Sequence, residues 1–170
     1  MKTPLEHFAD FFKQRMLEST GSHFSALQLQ NPIFEKGRAE LEIPYNEMFV
    51  GNPDTRIMAN GVMSALLDTC CAIAAATSLE KIAFCPTLDL RMDHMGMAAP
   101  DKPLKAEAEV YRSTSSVIFT RGTIFQDEDR DRPIVRALIN FTPIKHTILD
   151  TSVENMDQNK INNSGSSLQQ

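Results

Sequence analysis

Residues 57–79 read IMANGVMSALLDTCCAIAAATSL, and these twenty-three positions carry one charged side chain, Asp68, near their middle. About twenty mostly apolar residues can cross a bilayer. Here Asn60, Gly61, Ser64, Thr69, Thr77 and Ser78 dilute the run, and no cluster of Lys or Arg marks a cytoplasmic end. The stretch therefore predicts the buried central helix of a water-soluble domain rather than a membrane span. A carboxylate held among apolar neighbours is a candidate base or nucleophile, which makes Asp68 the first residue to follow.

The chain around it has 170 residues with 42% hydrophobic content, enough for one good core and too little for two comfortable domains. A net charge of -5 argues against nucleic acid as a partner. The first residues, Met1 to Asp10, lack the basic-then-apolar pattern of a secretory signal. Cys70, Cys71 and Cys85 are odd in number, lie in apolar runs and have no metal-ligand spacing. Buried free thiols, a cytoplasmic location and no metal site are expected.

Leu5, Phe8, Phe12 and Met16 recur at spacings of three and four, so residues 1–20 are expected to form an amphipathic helix packing on the domain as a lid. Residues 24–30 and 38–43 read as the two arms of a hairpin turning at Asn31-Pro32, and 45–57 as a loop into the central helix. Beyond Glu80, strand-like runs follow near 82–94, 104–113, 116–126 and 133–143. The period-two alternation of Leu104, Ala106, Ala108 and Val110 with Lys105, Glu107 and Glu109 is the cleanest of these. The charged run Asp127 to Arg132 reads as a solvated connection between the last two strands. The domain is expected to span 21–147, with 148–170, rich in Asn, Ser and Gln, a disordered tail. This order predicts an α+β fold: one long central helix wrapped by a curved antiparallel sheet, with an N-terminal helix. A helix apolar almost all round has a side left over, and a second subunit is its natural cover.

Two segments carry a family resemblance. Asn60-Gly61-Val62-Met63-Ser64-Ala65-Leu66-Leu67-Asp68-Thr69 resembles the helix-start signature of the PaaI-type hotdog thioesterases, usually His-Gly-Gly, five or six variable residues, then Leu/Val-Asp-Thr/Asn. Pro86-Thr87-Leu88-Asp89-Leu90-Arg91-Met92-Asp93 is similar to that family's next strand. The resemblance runs from about Phe34 to Thr142. It implies a hotdog fold and hydrolysis of an acyl-CoA thioester, with CoA part of the substrate and no other cofactor. It also implies that Asp68 activates water or attacks the carbonyl, that the Asn60 backbone N–H polarises the carbonyl oxygen, and that Thr87 holds the water. Asn52 and Gly61 would bind substrate, although Asn52 stands one residue farther from the motif than the family pattern has it. The family's His is Ala59 here, its first Gly is Asn60, and its Tyr-Leu-Arg-Pro has become His94-Met95-Gly96-Met97.

Helix geometry adds a constraint. Asn60 and Asp68 are eight residues apart, about 12 Å of rise on one helix, whereas donor and nucleophile must both come within about 3–3.5 Å of one carbonyl. Two antiparallel helices from two subunits solve this, and the resemblance implies such shared sites in a homodimer or a dimer-of-dimers tetramer. A hotdog dehydratase would want a His paired with the helix carboxylate, and none occurs between His23 and His94. The alternatives kept open are a non-catalytic hotdog that binds acyl-CoA or a related ligand and a purely structural or interaction domain. Asp89, Arg91 and Asp93 share one strand face and read as an ion-pair ladder.

Overall fold

The computed structural model describes residues 3–18 and 23–144; the tail expected over 148–170 lies outside them. Helix α1 (Pro4–Glu18) begins with a capping box. Thr3 Oγ1 accepts the Glu6 N–H at 3.2 Å, the Glu6 carboxylate accepts the Thr3 N–H at 2.6 Å, and Pro4 occupies the first turn, where its missing N–H costs nothing. Phe8 and Phe12, one turn apart, are both buried. Phe12 meets Phe24 of α2 (His23–Leu27) at 5.0 Å between ring centroids and Phe34 of β1 (Gln30–Glu35) at 5.2 Å.

The first hairpin differs from expectation. Residues 23–27 are helical, and Asn31-Pro32, expected to be the turn, lies inside β1. The turn into β2 (Arg38–Ile43) comes instead at Gly37, whose φ of +73° suits glycine. Proline is tolerated there because β1 is the sheet edge, where no partner strand needs its N–H, and the register shift between Gln30 and Ile33 absorbs the irregularity.

A 3₁₀ turn (Glu47–Phe49) and a two-stranded ribbon, β3 (Val50–Asn52) and β4 (Ile57–Met58), lead into α3 (Asn60–Ser78). Then come β5 (Thr87–His94), β6 (Leu104–Ser113), β7 (Ile118–Phe125) and β8 (Val135–Phe141). The strand expected from 82 starts at Thr87. Ahead of it the chain runs beside 142–144 through only the Phe84 and Pro86 carbonyls, because Pro86 has no N–H to extend the ladder. The main sheet is antiparallel throughout, in the order β1-β2-β6-β7-β8-β5. It curves around α3, giving the α+β architecture expected.

The seat for α3 is a row of small residues in register across four strands, Ala39, Ala108, Gly122 and Ala137. A side chain at Gly122 would put its Cβ 2.8 Å from Leu67 Cδ2 and 2.9 Å from Cys71 Sγ, both on α3 and fully buried. The Cys70 thiol donates to the Ala39 carbonyl at 3.3 Å. By length and composition α3 could cross a membrane, but here it is the centre of the core, with Leu66, Leu67, Cys70, Cys71 and Ala74 fully enclosed. Gly61, Ser64, Ala65, Asp68 and Ala72, at helical spacing, form the one stripe of α3 left half-covered or open. The charged run after β7 pairs back onto β6 and neighbouring loops, through Lys102–Asp127, Lys105–Glu128 and Arg130–Glu107.

Candidate active site

Asp68 stands midway along that open stripe of α3, half-buried. Thr87, at the first position of β5 and nineteen residues on, donates its hydroxyl to Asp68 Oδ1 at 2.7 Å. The register Thr87↔Phe141 brings it there, anchoring the start of β5 to the middle of the sheet's hydrophobic layer. Two of the residues singled out by sequence are thus in direct contact.

The others gather at the N-terminal end of the stripe. Ala59 caps α3 with extended backbone and makes no side-chain bond to the first turn; its carbonyl accepts the Val62 N–H at 3.0 Å. The amides that open a helix lack intrahelical acceptors and lie at the positive end of its dipole, so the Asn60 and Gly61 N–H groups are suited to an oxyanion. Both residues are exposed, and a Cβ at Gly61 would meet nothing within 4 Å. Gly51 lets the ribbon close on this helix start, since its Cβ would lie 3.1 Å from Ala59 Cα. Asn52 sits in the ribbon turn, where its Oδ1 accepts the Asp54 N–H at 2.9 Å; its amide NH₂ is the part free to face a ligand. Within one protomer the rise of α3 keeps this donor end about 12 Å from Asp68.

A cavity of about 470 Å³ opens beside Asp68. Its walls come from α1, α2, the C-terminal half of α3 and the segment before β5, and five phenylalanines, Phe8, Phe11, Phe12, Phe24 and Phe84, dominate them. His23 lies on the same wall, with Nε2 3.2 Å from Thr69 Oγ1. The Thr69 hydroxyl already donates to the Ala65 carbonyl at 2.8 Å, so the histidine nitrogen must be the donor in this contact. That bond ties α2 to α3 one residue from Asp68. Sequence reasoning left His23 without a role. The signal that could have found this wall is the density of Phe between 8 and 24.

The remaining candidates are structural in geometry. Arg91 pairs with Asp93 at 3.2 Å, while Asp89 accepts instead from Asn140 at 2.8 Å, so the expected ladder is only a pair. Among the described residues no group of three or more His, Cys, Asp or Glu could hold a metal. All three cysteines are free and buried. Burial pushes the Cys71 thiol up to about 12, although a Thr120 hydrogen bond opposes it, and pushes Cys85 up to about 11. Burial likewise raises Cys70 well above the ordinary thiol range. None is a thiolate near neutral pH, so none competes with Asp68 as nucleophile.

Residues 56–132 match the thioesterase superfamily model. No curated protein matches the sequence. Among solved structures, a Pseudomonas aeruginosa protein shares 34% identity over 84% of this chain and 100% of its own, with a TM-score of 0.68. The E. coli PaaI protein from the phenylacetic acid degradation operon shares 17% identity over 84% of this chain and 98% of its own, also at 0.68. A Streptococcus mutans protein solved with bound acetyl CoA shares 12% over 68% and 90%, at 0.59. The last two likenesses are of fold alone.

Proposed function

The chain belongs to the thioesterase superfamily and has its hotdog fold, and from that premise we propose that it hydrolyses acyl-CoA thioesters to a free acid and CoA at sites shared between two subunits. The observation that carries this reading is the 2.7 Å bond from Thr87 to Asp68 at the mouth of an apolar cavity. Acyl transfer needs a base or nucleophile at the carbonyl carbon and a donor at the developing oxyanion. Thr87 fixes one carboxylate oxygen of Asp68, leaving the other to take a proton from water or to attack directly. A threonine whose proton is committed to Asp68 still has lone pairs to accept a bond from that water. The oxyanion donor is the Asn60 N–H of a second subunit, with Gly61 and the Asn52 amide beside it.

Support for the second subunit comes from two surfaces. Among the described residues strand β5 pairs only with β8, which leaves its other edge open. Leu88 and Leu90 on β5 are 54% and 40% exposed, and Leu138 on β8 is 45% exposed. Open edges and apolar faces of this kind call for cover. Pairing two β5 edges antiparallel would set two α3 helices side by side in opposite directions, bringing the donor end of one toward Asp68 of the other. The acetyl CoA held by the Streptococcus mutans protein supports a CoA thioester as the ligand class.

The test is thiol release from a panel of acyl-CoAs by the parent and by Asp68→Asn. Loss of about 10²-fold or more in kcat is expected, with the fold checked by circular dichroism; unchanged turnover in a folded variant overturns the mechanism. A non-catalytic acyl-CoA-binding hotdog is the second reading, favoured by Ala59, which leaves the helix start without a side-chain cap. It predicts tight binding with no thiol release.

A further inference from the structure

We infer that the acyl group of the substrate lies in the phenylalanine-walled cavity between α1, α2 and the C-terminal half of α3. We further infer that this cavity selects an unbranched apolar chain of about ten carbons over acetyl and over hydroxylated aromatic groups. The inference rests on the reading of Asp68 as the group that acts on the thioester.

A thioester carbonyl has two substituents, and the cavity discriminates between them. CoA is polyanionic with a polar arm, whereas among the described residues the lining includes no Lys or Arg. Its polar members are Asp68 and the His23–Thr69 pair. In that pair the Thr69 hydroxyl is committed to the Ala65 carbonyl and the His23 Nε2 to Thr69. The lining therefore solvates an alkyl group well and a hydroxyl poorly.

Shape points the same way. Asp68, Ala72 and Ala76 follow one another at four-residue spacing and all line the cavity, so small side chains make a trench running about 12 Å along α3 from the carboxylate. Phe8, Phe11, Phe12, Phe24 and Phe84 line the rest of it. A dry cavity of roughly 150 Å³ admits benzene, about 25 Å³ per carbon. By that measure a ten-carbon chain takes roughly 250 Å³ of the 470 Å³ present, leaving space for the thioester at the mouth. An acetyl group would leave most of the trench without contacts. These lining residues all belong to the protomer that supplies Asp68, so the trench and the carboxylate come from one chain and the oxyanion donor from the other.

The experiment measures kcat/KM for acetyl-, hexanoyl-, decanoyl- and 4-hydroxybenzoyl-CoA, with calorimetric binding of decanoyl-CoA and acetyl-CoA in parallel. The wild type is expected to gain roughly two- to fourfold per methylene, reaching at least a hundredfold preference for decanoyl over acetyl, and to disfavour 4-hydroxybenzoyl by about 10²-fold. Ala72→Phe fills the trench and is expected to lower the decanoyl-to-acetyl ratio at least tenfold. Phe11→Ala, at a half-buried position, lowers it at least threefold and serves should Ala72→Phe fail to fold. A flat chain-length profile, a preference for 4-hydroxybenzoyl, or a ratio unmoved by both variants overturns the assignment while leaving hydrolysis intact. Chain-length-dependent binding without thiol release upholds the cavity and overturns hydrolysis. Neither binding nor release overturns both.

Discussion

Gly122→Ala probes how closely α3 is seated on the sheet. The added Cβ would lie 2.8 Å from Leu67 Cδ2 and 2.9 Å from Cys71 Sγ, separations that real methyl contacts do not show. Both partners are fully buried, so their side chains or the helix itself must shift to admit it. Overpacking of a filled core costs about 1–3 kcal/mol. Against this, replacing a strand glycine lowers the conformational entropy of the unfolded chain and returns about 0.5–1 kcal/mol. The net loss is roughly 0–2.5 kcal/mol, which for a domain of this size lowers Tm by up to about 10 °C. Cys71→Ala removes the sulfur that the new methyl would strike, so in Cys71→Ala/Gly122→Ala the two losses should sum to less than their separate values. Thermal unfolding of the four proteins, followed by circular dichroism, gives that coupling. A Tm for Gly122→Ala at or above wild type, or strict additivity, would show that the helix is not held at this separation. Asp68 lies between Leu67 and Cys71, so kcat should fall with the shift in Gly122→Ala and recover partly in the double variant.

Thr87→Val keeps the shape but removes the donor to Asp68, and is expected to lower kcat about 10–100-fold with KM little changed, while Thr87→Ser retains most activity; equal kcat in Thr87→Val removes Thr87 from the mechanism. Mixing Asp68→Asn with Asn60→Pro protomers, the latter lacking the oxyanion N–H and each expected to be inactive alone, should restore about a quarter of wild-type activity after subunit exchange, because half the dimers are mixed and each then holds one intact site. A site confined to one subunit restores none. The Asn60→Pro protein should fold, since proline is tolerated at the first helical position and Ala59 before it is already extended. At pH 8 the native protein should react with no thiol reagent, and all 3 cysteines should react on unfolding in guanidinium. The folded pKa values of Cys71 and Cys85, about 12 and about 11, exceed the unfolded value of about 8.5. Their linkage therefore favours the fold below pH 8.5 and is lost as pH rises toward 11–12, so stability should decline across that window.

The central helix and the strands at 104–113, 118–125 and 135–141 were legible because their patterns are long and regular: period two on β6, and a continuous apolar run on α3. The first strand was not, because Asn31-Pro32 has the composition of a turn and only the position of β1 at the sheet edge makes it a tolerable strand. Helix α2 is five residues long and too short to show a period. The contact between Asp68 and Thr87 could be anticipated from the family motifs and not from spacing, since nothing local links residues nineteen apart. The phenylalanine wall was half legible. An amphipathic helix with Phe8 and Phe12 on one face was evident in sequence, but which surface that face covers depends on Phe24 and Phe34, which lie on two separate elements, α2 and β1.

The lone charge in residues 57–79 looks, in sequence, like a carboxylate at the heart of a core. A charge truly enclosed there would cost several kcal/mol unless fully paired, and the helix avoids that cost by its rotation. Leu67 and Cys71 face the sheet and are fully buried, while Asp68 turns onto the stripe with Ala65 and Ala72 that the sheet leaves uncovered. The same rotation explains the small residues on that stripe. A purely structural helix would be expected to fill its open side with large apolar groups or to solvate it with several charges. Gly61, Ser64, Ala65 and Ala72 do neither; they keep the surface low along its length, with one carboxylate at the centre and unbonded amides at the start. A surface so shaped suits a partner helix running the other way with a thin ligand between the two. The apolar run is thus half of an enclosure that one chain leaves incomplete.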